Sequence, residues 1–155
     1  ALYEVVLAEQ EAALECVLPG KNAEDVHSIA VRVIVEGLLE LGLLKGSVDS
    51  VIEQGAYRHL YIHRTGHWLG LDVHDVGAYR LGEYPVELKK GMTLTVEPGI
   101  YISDRFEVPD GQPSIDDRWK GIGIRIEDDV LVGTSEPEVL SSDAQKSIET
   151  MQGKC

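Results

Sequence analysis

Cysteine is almost missing from this 155-residue chain, with only Cys16 and Cys155 present. One sits in a helical pattern and the other at the last position, so no disulfide framework can be read. A reducing cytoplasm is the expected location. Basic residues are also scarce: 14 Lys and Arg stand against 27 Asp and Glu, a formal charge of −13. That balance repels phosphate backbones and anionic headgroups, so neither nucleic acid nor a membrane surface is an expected partner. Nowhere do 18 apolar residues run together, and no basic stretch leads into an apolar one at the N-terminus. Neither a spanning helix nor a secretory signal is expected. Repeats, low-complexity tracts and linker-like segments are lacking too, which leaves one domain with one core.

What is present is ordinary globular material, 43% hydrophobic and 26% charged. The chain opens at Ala1 already in helical periodicity, as if inside a larger unit. Leu2, Val5, Val6, Ala13, Leu14 and Val17 recur at helical steps until Pro19-Gly20 ends the pattern. Asn22 with Asp25 three positions on predicts an N-cap, followed by Ile29, Val33, Ile34, Leu38 and Leu41 on one face up to Gly42. Ser47 predicts the cap of a short third helix through Gln54. Beyond it the pattern changes. TLTVEPGIYI and GIGIRIEDDVLVG alternate at near period two and are rich in β-branched residues, separated by a polar loop containing Pro109, Gly111 and Pro113. A last short helix is expected within Asp143–Met151. Helices followed by antiparallel strands give an α+β class rather than a doubly wound parallel sheet.

Four of the five histidines, His59, His63, His67 and His74, fall within sixteen positions. His63 and His67 have a helix-face spacing, but Gly66 and Gly70 argue against a helix, so an extended segment must aim them. In the first strand, alternation puts Thr93, Thr95 and Glu97 on one side; in the second it groups Gly123, Arg125 and Glu127. Taken alone, such polar faces meet water. Two strand-borne carboxylates beside a histidine cluster, one followed directly by Pro98-Gly99, instead suit a cation site. Imidazole with carboxylates favours a first-row divalent ion, and carboxylate dominance leans toward manganese rather than a thiolate-bound structural zinc.

HRTGHWLGLDVHDVG, LTVEPGIYI and GIGIRIEDDVLV stand in the order and context of the M24, or pita-bread, metallopeptidases. The resemblance runs from about residue 1 to residue 140 and is strongest to bacterial Xaa-Pro aminopeptidases, with prolidases next; the Trp68 context favours the former. It implies a partial pita-bread fold, helices on a mostly antiparallel curved sheet. It implies hydrolysis of the bond before a proline in second position, using two divalent ions bridged by hydroxide. Carried over, His67, Glu97 and Glu127 resemble metal ligands. His63 and His74 resemble the histidines that hold substrate and stabilise the tetrahedral intermediate, and Arg125 resembles a residue orienting the ligand carboxylates. Two metal ions roughly 3.5–4 Å apart acidify a bridging water and polarise the carbonyl.

The family's two aspartate ligands come from strands with no counterpart here. Asp72, Asp75, Asp128 and Asp129 lie at positions whose family equivalents are not ligands. Residues 1–155 are therefore expected to be the C-terminal portion of one catalytic domain, without the N-terminal domain. Such a chain should hold at most one metal ion weakly, have little peptidase activity, expose strand edges and an apolar helix face, and associate with itself or with a completing N-terminal segment. The alternatives are a prolidase and a non-catalytic peptide-binding module of the same fold.

Overall fold

The computed structural model describes residues 1–153; Cys155 lies outside them. Helix α1 spans Leu2–Glu15 and α2 spans Ala23–Glu40. Asn22 caps α2 as expected: its side chain accepts from the Glu24 and Asp25 amides while Asp25 reaches back to the Asn22 N–H. α1 and α2 approach so closely that a Cβ on Gly37 would lie 2.5 Å from Val5 Cγ1, so only glycine fits there. Ser47 caps α3, Val48–Gln54, and a 3-10 turn at Ala56–His59 hands the chain on to the histidine segment.

The strands are short. β1 (Leu69–Gly70) pairs with β2 (Val73–His74), and β3 (Arg80–Leu81) with β4 (Tyr84–Pro85), making an arm of two hairpins. β5 (Thr93–Val96) continues past Pro98 into β6 (Gly99–Tyr101). After the 102–122 loop, β7 (Gly123–Arg125) continues into β8 (Asp128–Leu131), which β9 (Glu138–Val139) flanks. All these pairings are antiparallel. Val96 faces Asp128 and, further along, Gly99 faces Arg125, so the register runs through the junction without a slip. Pro98 lacks an N–H, but its carbonyl accepts from Ile126 at 3.2 Å and keeps the two pairs as one ladder. The helices and antiparallel strands realise the α+β class.

Two apolar clusters fill the space between helices and strands. One joins α1, α2 and α3 to Ile100, Ile102 and Ile126; the other joins Ala13, Val17, Val26 and Ala30 to Leu94, Val96, Val130 and Val132. Two expectations need correcting, the extent of the last helix and an open apolar helix face. The last helix, α4, covers only Ile148–Gln152, because Ser147 caps it and a turn at Ser141–Ala144 precedes it. The polar side of β5 does not face water: Thr95 is 1% and Glu97 8% exposed, since the histidine segment packs over it. No apolar helix face lies open among the described residues; the exposed apolar side chains concentrate on the arm at Leu71, Val73, Val76, Leu81 and Tyr84. Among the described residues, no helix is long and apolar enough to cross a membrane.

Candidate metal centre

Three adjacent extended segments build the site. Residues 65–68 run along the free side of β5: the Glu97 N–H donates to the Thr65 carbonyl at 2.6 Å, and the Thr95 N–H to the His67 carbonyl at 2.8 Å. A bridge between Trp68 and Leu94 carries the pairing on. Gly66 makes this approach possible, because a Cβ there would sit 1.9 Å from the Thr95 carbonyl oxygen. On the other side of β5, the unbroken register sets Glu127 opposite Glu97. His67, Glu97 and Glu127 are thus brought together, each offering a ligand atom within 4.8 Å of the others.

The imidazole of His67 is fixed in a single tautomer. Its Nδ1 lies 3.0 Å from the Trp68 carbonyl, which can only accept, so Nδ1 carries the proton. Nε2, the other ring nitrogen, lies 3.2 Å from Glu97 Oε1. Two acceptors at that distance repel unless positive charge is shared between them, either a proton or a cation. Thr95 Oγ1 tightens the pair: it accepts from the His67 N–H at 3.0 Å and donates to Glu97 Oε1 at 3.1 Å. Arg125 Nη1 holds the other oxygen, Glu97 Oε2, at 3.1 Å.

His63 and His74 flank the trio. The His63 Nδ1–H donates to the Arg64 carbonyl at 2.7 Å, so its Nε2 accepts, here from the Tyr101 hydroxyl at 2.9 Å. Arg125 Nε donates to the same hydroxyl at 2.7 Å. His74 is exposed and lies over His67, with ring centroids 4.0 Å apart. It is returned there by the β1–β2 hairpin, in which Val73, the first residue of β2, has φ of 72°. A β-branched residue in the left-handed region is strained by roughly 1–3 kcal/mol, which the pairing of Leu69 with His74 must hold.

A cavity of about 610 Å³ opens above these groups, lined by His63, His67, His74, Glu97 and Arg125 among others. The arm forms its far wall: Tyr79 stacks on Trp68 at 5.4 Å and accepts the Trp68 N–H, while Arg80 pairs with Glu24 of α2. His59 is not part of the site; its Nδ1 caps the Ala56 carbonyl. Nor are Asp75, which accepts from the Gly77 N–H in an exposed turn, and Asp128, which points to the opposite face of the ladder. Sequence reasoning missed Tyr101 and Thr95. The parity that picked out Glu97 also marks Thr95, whereas Tyr101 gives no signal before the β6–β7 register is known.

An imidazole lone pair beside two carboxylates is a donor set for a first-row divalent ion, so these residues fit one. Metallopeptidase family M24 matches residues 1–134. A Xaa-Pro aminopeptidase of Haemophilus influenzae is 45% identical over 147 residues, 95% of this chain and 32% of that protein. The solved structure of Pseudomonas aeruginosa aminopeptidase PepP superposes with a TM-score of 0.88 at 46% identity, over 98% of this chain and 33% of that one. That of Escherichia coli aminopeptidase P with the inhibitor Pro-Leu gives 0.86 at 42% identity, over 98% and 33%. The chain therefore spans about a third of the length of the relatives it matches, and its helices and strands follow their pita-bread fold. A divalent metal is implied by the family's name and chemistry. On the match across residues 1–134, the chain belongs to metallopeptidase family M24.

Proposed function

We propose that residues 1–155 form the C-terminal portion of the catalytic domain of a Xaa-Pro aminopeptidase, removing the first residue from peptides with proline second. The reading rests above all on the convergence of His67 Nε2, 3.2 Å from Glu97 Oε1, with Glu127 beside them, a donor set that a divalent ion would bridge. His67, Glu97 and Glu127 are the ligands, and manganese is the preferred ion because carboxylates outnumber the imidazole. Bound there, the ion supplies a Lewis acid for the scissile carbonyl and acidifies water.

The chain's own groups do the rest. Arg125 keeps Glu97 Oε2 turned away from His67, so Oε1 stays aimed into the site. His74, exposed at the cavity, holds the substrate and donates to charge developing on the carbonyl oxygen, where a preorganised donor is most effective. His63 takes a similar part once its Nε2 exchanges the Tyr101 hydroxyl for a substrate group. Three ligands suffice for one ion, so the isolated chain should hold at most one weakly and cleave little. The remaining ligands and covering surface would come from a preceding segment or a second copy. A cytoplasmic setting agrees with Cys16 being a buried free thiol.

Two measurements test this. In calorimetry, Mn²⁺ should bind this chain at one weak site that His67→Ala abolishes; two tight sites would contradict the reading. In a protein that joins this chain to the preceding catalytic segment, Xaa-Pro-Xaa tripeptides should be cut at the first bond. Cleavage of Xaa-Pro dipeptides alone would make it a prolidase instead.

A further inference from the structure

Main-chain bonds hold residues 65–68 to β5, yet the segment contains Gly66 and is soon followed by Gly70, so its own backbone gives it little stiffness. Thr65 supplies a second anchorage. The residue is 2% exposed, and its hydroxyl lies 2.8 Å from His27 Nδ1 of α2 and 2.6 Å from the Tyr61 hydroxyl. A hydroxyl has one proton to give and lone pairs to receive with, so Thr65 can bond both partners at once, whichever way the protons run. Tyr61 is 3% exposed, and its ring stands between those of His27 and His63, with centroids 5.7 Å and 5.5 Å away.

His27 takes no part in the reaction as derived above. It is half-buried, one turn into α2, between the buried Val26 and Ala30. Leucine would fill the same space; what the imidazole adds is a nitrogen at bonding distance from a hydroxyl that bulk water does not reach. From Thr65 the effect passes to the ligands in short steps. The Thr65 carbonyl accepts the Glu97 N–H at 2.6 Å. Two residues on, the His67 carbonyl accepts the Thr95 N–H at 2.8 Å, and the His67 N–H donates to Thr95 Oγ1 at 3.0 Å. A shift of Thr65 therefore moves both the imidazole and the carboxylate that face each other at 3.2 Å. α2 is a firm anchor for such a segment, being 18 residues long, closed by a capping box and packed in both apolar clusters.

We propose that His27 is a positioning residue of the metal centre: through the Thr65 hydroxyl it fastens the 65–68 segment to α2, and so sets where the His67 ring and the Glu97 main chain stand. The proposal rests on the reading of His67 and Glu97 as metal ligands. It makes the long helix α2, together with the strand ladder, the frame on which those ligands are held.

Amide hydrogen exchange of the metal-free chain, read with Mn²⁺ titration of the same variants, tests it. His27→Leu fills the space without a ring nitrogen. It should speed exchange at Glu97 and Thr95 about fivefold, the worth of one hydrogen bond, while amides in the middle of α2 and in β8 keep wild-type rates. Mn²⁺ should bind about tenfold more weakly, the scale on which supporting partners of ligands act. His27→Asn returns a group near the Nδ1 position that can donate or accept, at similar helix propensity, and should bring both readings to within about twofold of wild type. Thr65→Val removes the contact from its other end and is read in the same way should His27→Leu not fold; where both fold, the double variant should bind Mn²⁺ no more weakly than Thr65→Val. A folded His27→Leu variant with either reading unchanged overturns the proposal. So does faster exchange spread evenly over α2 and β8, or a His27→Asn variant no better than His27→Leu. His67→Ala separates the two readings. If it binds Mn²⁺ as well as wild type does, the metal assignment fails, while exchange at Glu97 still decides the His27 contact.

Discussion

Glu127 and Asp128 are neighbours in the chain, point to opposite faces of one ladder and live in opposite surroundings. Asp128 is 1% exposed and its oxygens are filled by the protein: Gln10 donates at 2.8 Å, Ser141 at 2.6 Å and Lys146 at 2.7 Å. Glu127 is exposed and faces a second carboxylate, with no donor of its own fixed on it among the described residues. The first arrangement stabilises a buried charge by supplying a counter-charge and hydrogen bonds. The second sets like charges side by side, offset by the Arg125 guanidinium on Glu97 and open to a further cation. Spare lone pairs beside other spare lone pairs suit a ligand; satisfied lone pairs suit a strut.

The comparison breaks most severely if the site-side segment is lifted off β5. Gly66→Ala should do so, because its Cβ cannot stay 1.9 Å from a carbonyl oxygen; a loss of about 3 kcal/mol is expected in denaturant unfolding. On the buried face, Lys146→Met leaves Asp128 with its charge and no cation. We expect a loss of about 2–3 kcal/mol by the same measurement, toward the low end because Lys146 is partly exposed.

Glu9, buried in α1 with its pKa raised by burial, sharpens the contrast through pH. Below its ordinary pKa of 4.5 the acid is protonated folded and unfolded, and wild type and Glu9→Gln should respond alike to pH. Above it only the unfolded chain ionises, so wild type should lose stability relative to Glu9→Gln as pH rises toward the folded pKa. His27 acts in the other direction. Burial first, then Arg64, His63 and Arg58, push it from 6.5 to about 4, so its unfolded form takes up protons first and stability should fall as pH drops through that window. Melting temperatures from pH 4 to pH 8 check both signs. The smallest effect on stability belongs to Glu127→Gln, within about 0.5 kcal/mol. The same variant should nonetheless abolish most Mn²⁺ binding in calorimetry, which Lys146→Met should not do unless it unfolds the chain.

The caps at Asn22 and Ser47 were legible because a capping box lies within four residues and needs nothing from the rest of the chain. The candidate metal trio was legible in part: strand parity placed Glu97 and Glu127 at the ends of polar faces, and the resemblance to a known family joined them to His67. Tyr101 and Thr65 were not, since each acts through a partner 38 or more positions away or across a register that only packing sets. The polar residues in the α1 stripe were passed over for a similar reason. Periodicity recognises apolar side chains, and Glu9 and Gln10 are buried in spite of their chemistry.

By itself, then, the sequence determined where helices start, which residues alternate along each strand, and that two carboxylates end polar faces, because these follow from steps of one to four residues. Tertiary structure decided that those faces would be dry, that Glu97 would stand opposite Glu127 and against His67, and that Asp128 would be neutralised while its neighbour was not. The physical reason is that solvation of a charge depends on what is packed against it, and that is set by segments distant in the chain.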